Sequence, residues 1–168
     1  IEAFGFWHIV SKMRKKTARV YAIMILCVIG VGGAAFWNGY FVKFPKEQSQ
    51  NYQYAMKEAV KYARDNSSTY SSVQFSHTNN LYQSYMFFLF YASYDPQVYL
   101  RQGGTVSGGY DQSHSFGKYA FGYLPSSPDE FLPHTLYFYN SGSVPQGLQS
   151  IYTFDSLDGS PAIVAAAL

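Results

Sequence analysis

A chain of 168 residues has the length of one ordinary domain, or of a smaller one with an appendage. Hydrophobic residues make up 48% and charged residues only 13%, which argues against a disordered chain and is little charge for a freely soluble globule. The net charge of +2 gives no broad basic surface for nucleic acid, and the single cysteine, Cys27, excludes an internal disulfide framework or a multi-thiolate metal site.

The charge is divided unevenly along the chain. Residues 1–42 hold Lys12, Arg14, Lys15, Lys16 and Arg19 against Glu2 alone, a balance of +4, whereas residues 43–168 carry seven basic and nine acidic side chains, a balance of −2. The opening stretch IEAFGFWHIV is apolar but too short to span a bilayer. Because it begins on Ile1 and not on Met, it reads as an interfacial stretch or as the tail of an earlier membrane helix, and the second favours a longer parent protein.

Residues 20–42, VYAIMILCVIGVGGAAFWNGYFV, contain no Asp, Glu, Lys, Arg or His. As a helix they would be roughly 34 Å long, enough for a hydrocarbon core of about 30 Å. Ten Val, Ile, Leu and Phe side chains favour insertion by roughly 3 to 6 kcal/mol. The apolar region of a cleaved signal peptide would be only about 7–15 residues long, and this run ends instead in Phe36, Trp37, Tyr40, Phe41 and Phe44, which suit an interfacial aromatic belt. The cluster KMRKKTAR precedes the run, so the positive-inside rule makes 1–19 a cytoplasmic or interfacial segment, 20–42 a transmembrane helix and 43–168 an extracytoplasmic domain. The pairs Gly30/Ala34 and Ala35/Gly39 have the small-xxx-small spacing that lets another membrane helix approach.

In the outer part, Tyr52, Ala55, Met56, Ala59, Val60 and Ala63 recur at helical spacing, predicting an amphipathic helix over about 49–64. The stretch TYSSVQFS, 69–76, alternates like a strand, and NNLYQSYMFFLFYASY, 79–94, is long enough for a buried helix. Asp95-Pro96 offers an N-cap and a first-turn proline for a short helix to about Arg101, and 102–109, QGGTVSGG, reads as a loop. Strands are expected at 114–122, 135–140 and 150–154, followed by a turn at Asp158-Gly159 and a last apolar run at 162–166. This order predicts a small α/β or α+β domain behind one transmembrane helix.

Catalytic signatures are missing from the sequence. There is no dinucleotide or P-loop glycine motif and no GxSxG elbow, and His8, His77, His114 and His134 are too far apart in sequence to suggest a metal site, so neither a catalytic nor a metal-ligating residue is assigned. The tripeptide Asn66-Ser67-Ser68 fits the glycosylation pattern. The most suggestive polar cluster is Ser76-His77-Thr78-Asn79-Asn80, at the expected carboxyl end of the first strand and the start of the aromatic helix. Ligands tend to bind there in open α/β sheets, which makes His77, Thr78, Asn79 and Asn80 the candidate binding residues. The competing use of Thr78 or Asn79 is simply to cap the helix.

A span ending in AAFWNGYF, the helix NYQYAMKEAVKYA, the strand TYSSVQFS, the run LYQSYMFFLFYASYDPQVYL and the motif SFGKYAFG together resemble the C-terminal portion of bacterial glycosyltransferase family 39 proteins, which are related to protein O-mannosyltransferases. The most specific pieces are LFYASYDP, 89–96, and SFGKY, 115–119. The resemblance implies a polytopic membrane enzyme that takes a sugar from a polyprenyl-phosphate donor, with a divalent metal, on the outer face. It also implies partners in membrane lipid, in preceding transmembrane helices of the same protein and in glycan or lipid-linked sugar. The acidic catalytic residues of that family lie in a first outer loop that matches nothing here, so this domain would cap the outer face without doing the chemistry. The alternatives are a single-pass, membrane-anchored binding or sensor domain, or a structural subunit beside another membrane protein.

Overall fold

In a computed structural model, which describes residues 14–104 and 113–168, the chain divides into two compact units, residues 1–45 and 46–168. The opening apolar stretch, Lys12 and most of the glycine-rich loop lie outside the described residues.

In the first unit, helix α1 spans Lys15–Asn38 and buries none of its side chains. It passes into a π-helical turn at Gly39–Lys43, where the Phe44 amide donates to the Gly39 carbonyl, and continues as α2, Phe44–Glu47. The aromatic belt stacks along this turn: Phe36 on Tyr40 at 5.8 Å, and Tyr40 on Phe44 at 6.0 Å with planes 6° apart. Among the described residues, the helix Lys15–Glu47 is long and apolar enough to cross a membrane.

The second unit is a mixed α/β domain built on an open sheet of six strands. The strands are β1 (Ser72–Ser76), β2 (His114–Phe116), β3 (Tyr119–Gly122), β4 (Thr135–Asn140), β5 (Gln149–Asp155) and β6 (Pro161–Ala167), in the order β2-β3-β1-β4-β6-β5. The central β1 runs parallel to β3 on one side and to β4 on the other, and all other pairings are antiparallel. The expected single strand over 114–122 is a hairpin, because Gly117, at φ +57°, opens a two-residue turn between Phe116 and Tyr119.

Three helices complete the domain: α3 (Met56–Asp65), α4 (Ser84–Tyr91) and α5 (Pro96–Arg101). On α3 the buried positions are Met56, Ala59, Val60 and Ala63, a stripe at i, i+3, i+4 and i+7. They pack with Phe88 of α4 onto Val73, Phe75, Phe121, Leu136, Phe138 and Ile163 of the sheet. The opposite face carries Tyr137 and Tyr139, covered by Phe131, Leu124, Val144 and Leu148 from the loops around β4. Loop backbone is tied down there: the Leu132 amide donates to the Tyr137 hydroxyl at 2.8 Å, and the Tyr139 hydroxyl donates to the Pro125 carbonyl at 2.7 Å.

Two helices are shorter than their periodicity predicts, for the same physical reason. Residues 48–55 form turns where the helix over 49–64 was expected, because Gln53 is left-handed (φ 52°) and its side-chain amide donates to the Tyr82 carbonyl at 2.8 Å. The helix expected over 79–94 is broken by left-handed Asn79 and Gln83, leaving a 3-10 turn, Asn79–Leu81, ahead of α4. Helix α5 forms as its cap predicts, with the Asp95 carboxylate accepting from the Gln97 amide at 2.8 Å and Pro96 in the first turn.

Candidate functional site

Strand β1 leaves the sheet between its two parallel neighbours, so the carboxyl ends of β1 and β4 meet at a point where chain connections diverge to either side. Such a crevice is where open α/β sheets hold ligands. A cavity of about 240 Å³ opens at this end. Its wall is assembled from Gln50 and Gln53 before α3, Asn79 after β1, Asn140 at the end of β4, Ser156 after β5 and Ile163 in β6.

The polar chemistry of this wall is neutral. Among the described residues, no Asp, Glu, Lys, Arg or His lines it. Two of its groups have no hydrogen-bond partner among the described residues although their atoms are buried, the side-chain oxygen of Gln53 and the hydroxyl of Ser156. Their residues are only 5% and 6% exposed. The Gln53 amide is oriented by its own bond: the nitrogen must face the Tyr82 carbonyl, so the unpartnered end is an acceptor. A buried polar group without a partner costs about 1–3 kcal/mol, which calls for an explanation at both positions.

The rest of the wall is braced. Gln50 donates to the Ser160 hydroxyl at 2.8 Å, and that hydroxyl donates to Asp158 at 2.6 Å. The bonds from the Ser160 side chain and backbone hold the Asp158 carboxyl below its usual range. Asn140 donates to the Thr78 carbonyl at 2.8 Å, pinning the end of β4 to the segment that leaves β1.

The expected cluster at 77–80 is only partly gathered here. Asn79 lines the cavity. Thr78 contributes through its backbone carbonyl, while its hydroxyl is shared with that of Ser76 at 2.7 Å. His77 does not line the cavity; it is buried under Tyr123, which is 79% exposed and meets its ring edge-on at 4.1 Å. The side chain of Asn80 lies outside the described residues. Capping does not account for Thr78 or Asn79: the 3-10 turn flanked by Thr78 receives no side-chain cap, and α4 begins at Ser84 after Gln83, again without a side-chain cap. Sequence reasoning missed Gln53, Asn140 and Ser156, which carry no motif and come from separate segments.

Asn66, in the glycosylation tripeptide, closes the end of α3 by donating its side-chain amide to the Tyr62 carbonyl at 2.9 Å. Beside it, the Lys118 ammonium donates to the carbonyls of Ser67 and Tyr70.

The cavity does not fit a divalent metal or a lipid phosphate. Among the described residues no group of three or more His, Cys, Asp or Glu side chains could hold a metal ion, and the wall supplies no cation for a phosphate.

The two segments that carry the family resemblance pack against each other. Tyr94, in 89–96, lies 5.0 Å from Phe116, in 115–119, and Phe88 just ahead of the first segment lies 4.3 Å from Tyr119. A Cβ at Gly117 would lie in ordinary contact, 3.7 Å from the Tyr94 hydroxyl, so it is the left-handed φ of +57° and not the space that calls for glycine there. Comparisons of the chain with protein-family models, with curated proteins and with solved structures found no match.

Proposed function

We propose that this chain is the membrane-embedded end and outer-face domain of a glycosyltransferase that draws its sugar from a polyprenyl-phosphate donor, with residues 20–42 of the helix Lys15–Glu47 crossing the bilayer and residues 43–168 outside it. The observation that carries the reading is the union, in one chain, of an uncharged helix behind a basic cluster and a domain in which LFYASYDP and SFGKY pack as one unit. The domain's part is to cover the transfer site and hold a neutral ligand. Donor phosphate and any metal would be held by other parts of the enzyme, since the cavity offers neither charge.

Two experiments test this. Sequencing the gene upstream of Ile1 should show several further hydrophobic spans and an acidic pair in the first outer loop; a start codon within a few residues of Ile1 would sink the enzyme reading. Membranes carrying the gene product should transfer label from a polyprenyl-phosphate sugar, and protease added outside right-side-out vesicles should remove residues 46–168.

The unpartnered oxygens of Gln53 and Ser156 favour a second reading, a single-pass anchored domain whose task is binding alone. It predicts the same vesicle topology with no transfer activity.

A further inference from the structure

We infer that the outward face of α4, formed by Met86, Phe90 and the open sides of Phe87 and Tyr91, seats in the lipid surface from which the chain's own membrane helix emerges. The inference rests on the membrane part of the proposed function, residues 20–42 crossing the bilayer, and needs no transferase chemistry.

Two helices cover the same side of the sheet and turn opposite chemistry outward. Helix α3 buries Met56, Ala59, Val60 and Ala63 and exposes Lys57, Glu58, Lys61, Arg64 and Asp65. Residues 66–94, by contrast, hold no Asp, Glu, Lys or Arg. Within them α4 buries Ser84 and Phe88 and leaves Met86 48% and Phe90 76% exposed, one helical turn apart on one face. Neighbouring rings make the patch continuous: Phe90 meets Tyr91 edge-on at 5.2 Å, and Tyr91 stacks on Phe87 at 6.3 Å. Single exposed apolar side chains are ordinary on a protein surface. A continuous set on a helix without a charge on any face is not, because a helix apolar all round belongs in a core or in lipid.

The occupant follows from how the domain is attached. Only the six residues 43–48 separate the uncharged run from Ser49, which is 2% exposed and already part of the second unit. That length reaches at most about 20 Å. With residues 20–42 in the bilayer, the domain is confined beside the membrane, and an apolar face on it meets lipid at a local concentration that a diffusing partner does not match. Phe, Met and Tyr side chains suit the boundary between headgroups and acyl chains, where aromatic rings concentrate. Charge agrees with this: the Arg64 guanidinium donates to the Ala92 carbonyl at 3.3 Å, just past the end of α4, which sets a cation beside the patch for the phosphates of lipid headgroups.

The test uses the full chain with Cys27→Ser, reconstituted in vesicles of phosphatidylcholine and phosphatidylglycerol, with an environment-sensitive fluorophore on one introduced cysteine at a time. The positions are Met86→Cys and Phe90→Cys in the patch, Glu130→Cys in the loop that covers the opposite face of the sheet, and Gly33→Cys in the membrane helix. Lipids carrying a doxyl group near the headgroup end of the acyl chain should quench the two patch labels about threefold more than the label at Glu130→Cys, as expected for side chains about 5–10 Å into the boundary. Adding Phe90→Glu should bring quenching at Met86→Cys down to the Glu130→Cys level without lowering the Tm in detergent, since Phe90 lies outside the core. The proposal is overturned if the patch labels are quenched no more than the Glu130→Cys label, or if Phe90→Glu changes nothing. It is overturned equally if the patch labels are shielded from water but untouched by doxyl lipid, which marks a protein partner or a second copy of this chain. Deep doxyl quenching at Gly33→Cys reports the membrane helix separately: retained, it leaves the membrane reading standing when the patch fails; absent, it removes both.

Discussion

Phe75 and Phe138 stack face to face, 4.2 Å between ring centroids and 3° between planes, from register-matched positions on the parallel strands β1 and β4. Both are fully buried, and Phe75 also meets Phe88 edge-on at 5.7 Å and stacks on Phe121 at 5.5 Å. This stack lies in the core that α3 and α4 close over the sheet. Either Phe75→Ala or Phe138→Ala should lower stability by about 3–5 kcal/mol in urea unfolding. The double variant should fall short of additivity by about 0.5–1.5 kcal/mol, the worth of the ring pair itself. Full additivity would show that the rings act only as separate hydrophobic fillers.

Much of this core can be read from the sequence, because it rests on local period. The spacing of Met56, Ala59, Val60 and Ala63 marks the buried stripe of α3, and the strand expected at 135–140 is β4 itself. What the sequence hides are the breaks: Gln53, Asn79 and Gln83 turn left-handed within helical patterns, and the cause visible at Gln53 is a bond to Tyr82, 29 residues away. The candidate site is hidden for a related reason. Of the described side chains of the expected cluster, Asn79 alone lines the cavity, and the residues beside it, Gln53, Asn140 and Ser156, are neutral, unremarkable residues brought together by sheet order.

His114 should make the domain acid-sensitive. Its ring stacks on Tyr85 at 3.9 Å, its Nε2 is buried without a partner among the described residues, and burial pushes its pKa down. Above the ordinary histidine range the ring is neutral in both folded and unfolded chains and contributes no pH dependence. As pH falls through the ordinary value the unfolded chain takes up the proton first, so stability declines until the folded ring also protonates. Urea midpoints measured from about pH 7.5 down to about pH 5.5 should fall, across the usual histidine titration. His114→Phe, which keeps a ring on Tyr85, should flatten that slope; an unchanged slope would place the sensitivity elsewhere.

Tyr139 sets the alkaline limit. Burial, and the neighbouring Tyr137, push its phenol up to about 12, and its hydroxyl holds the Pro125 carbonyl. Above the ordinary tyrosine value of about 10 the unfolded phenol ionises while the folded one stays protonated, so stability falls as pH rises toward about 12. Tyr139→Phe should cost about 1 kcal/mol at neutral pH through the lost bond and remove this part of the alkaline decline. Ultraviolet titration should show one fewer late-ionising phenol in the variant.

Asp95 is the only side-chain helix cap found among the described helices with assigned caps, and α5 follows it directly. Asp95→Ala should cost about 0.5–2 kcal/mol, since the Gln97 amide loses its acceptor. Amide exchange should accelerate first at Gln97 and Val98, ahead of any change in the sheet. Asp95→Asn should recover most of the loss, which separates capping from charge.

The membrane reading makes its own demand on α1. Ile29 lies in the middle of the uncharged run, and every described side chain of α1 is left without burial inside the protein. Under the proposed insertion, Ile29→Arg places a charge near the bilayer centre and should cost about 2.5–3.5 kcal/mol of insertion free energy, about half or more of the roughly 3–6 kcal/mol that the aliphatic and Phe side chains supply. Ile29→Leu should cost nothing. Alkaline carbonate extraction of membranes should therefore release much of the arginine variant and retain the leucine variant and the unaltered chain. If the arginine variant stays in the pellet, α1 either is held by neighbouring helices strong enough to shelter the charge or does not lie across the bilayer. Crosslinking at Gly33→Cys distinguishes the two, because only a helix with a close neighbour yields a crosslinked product.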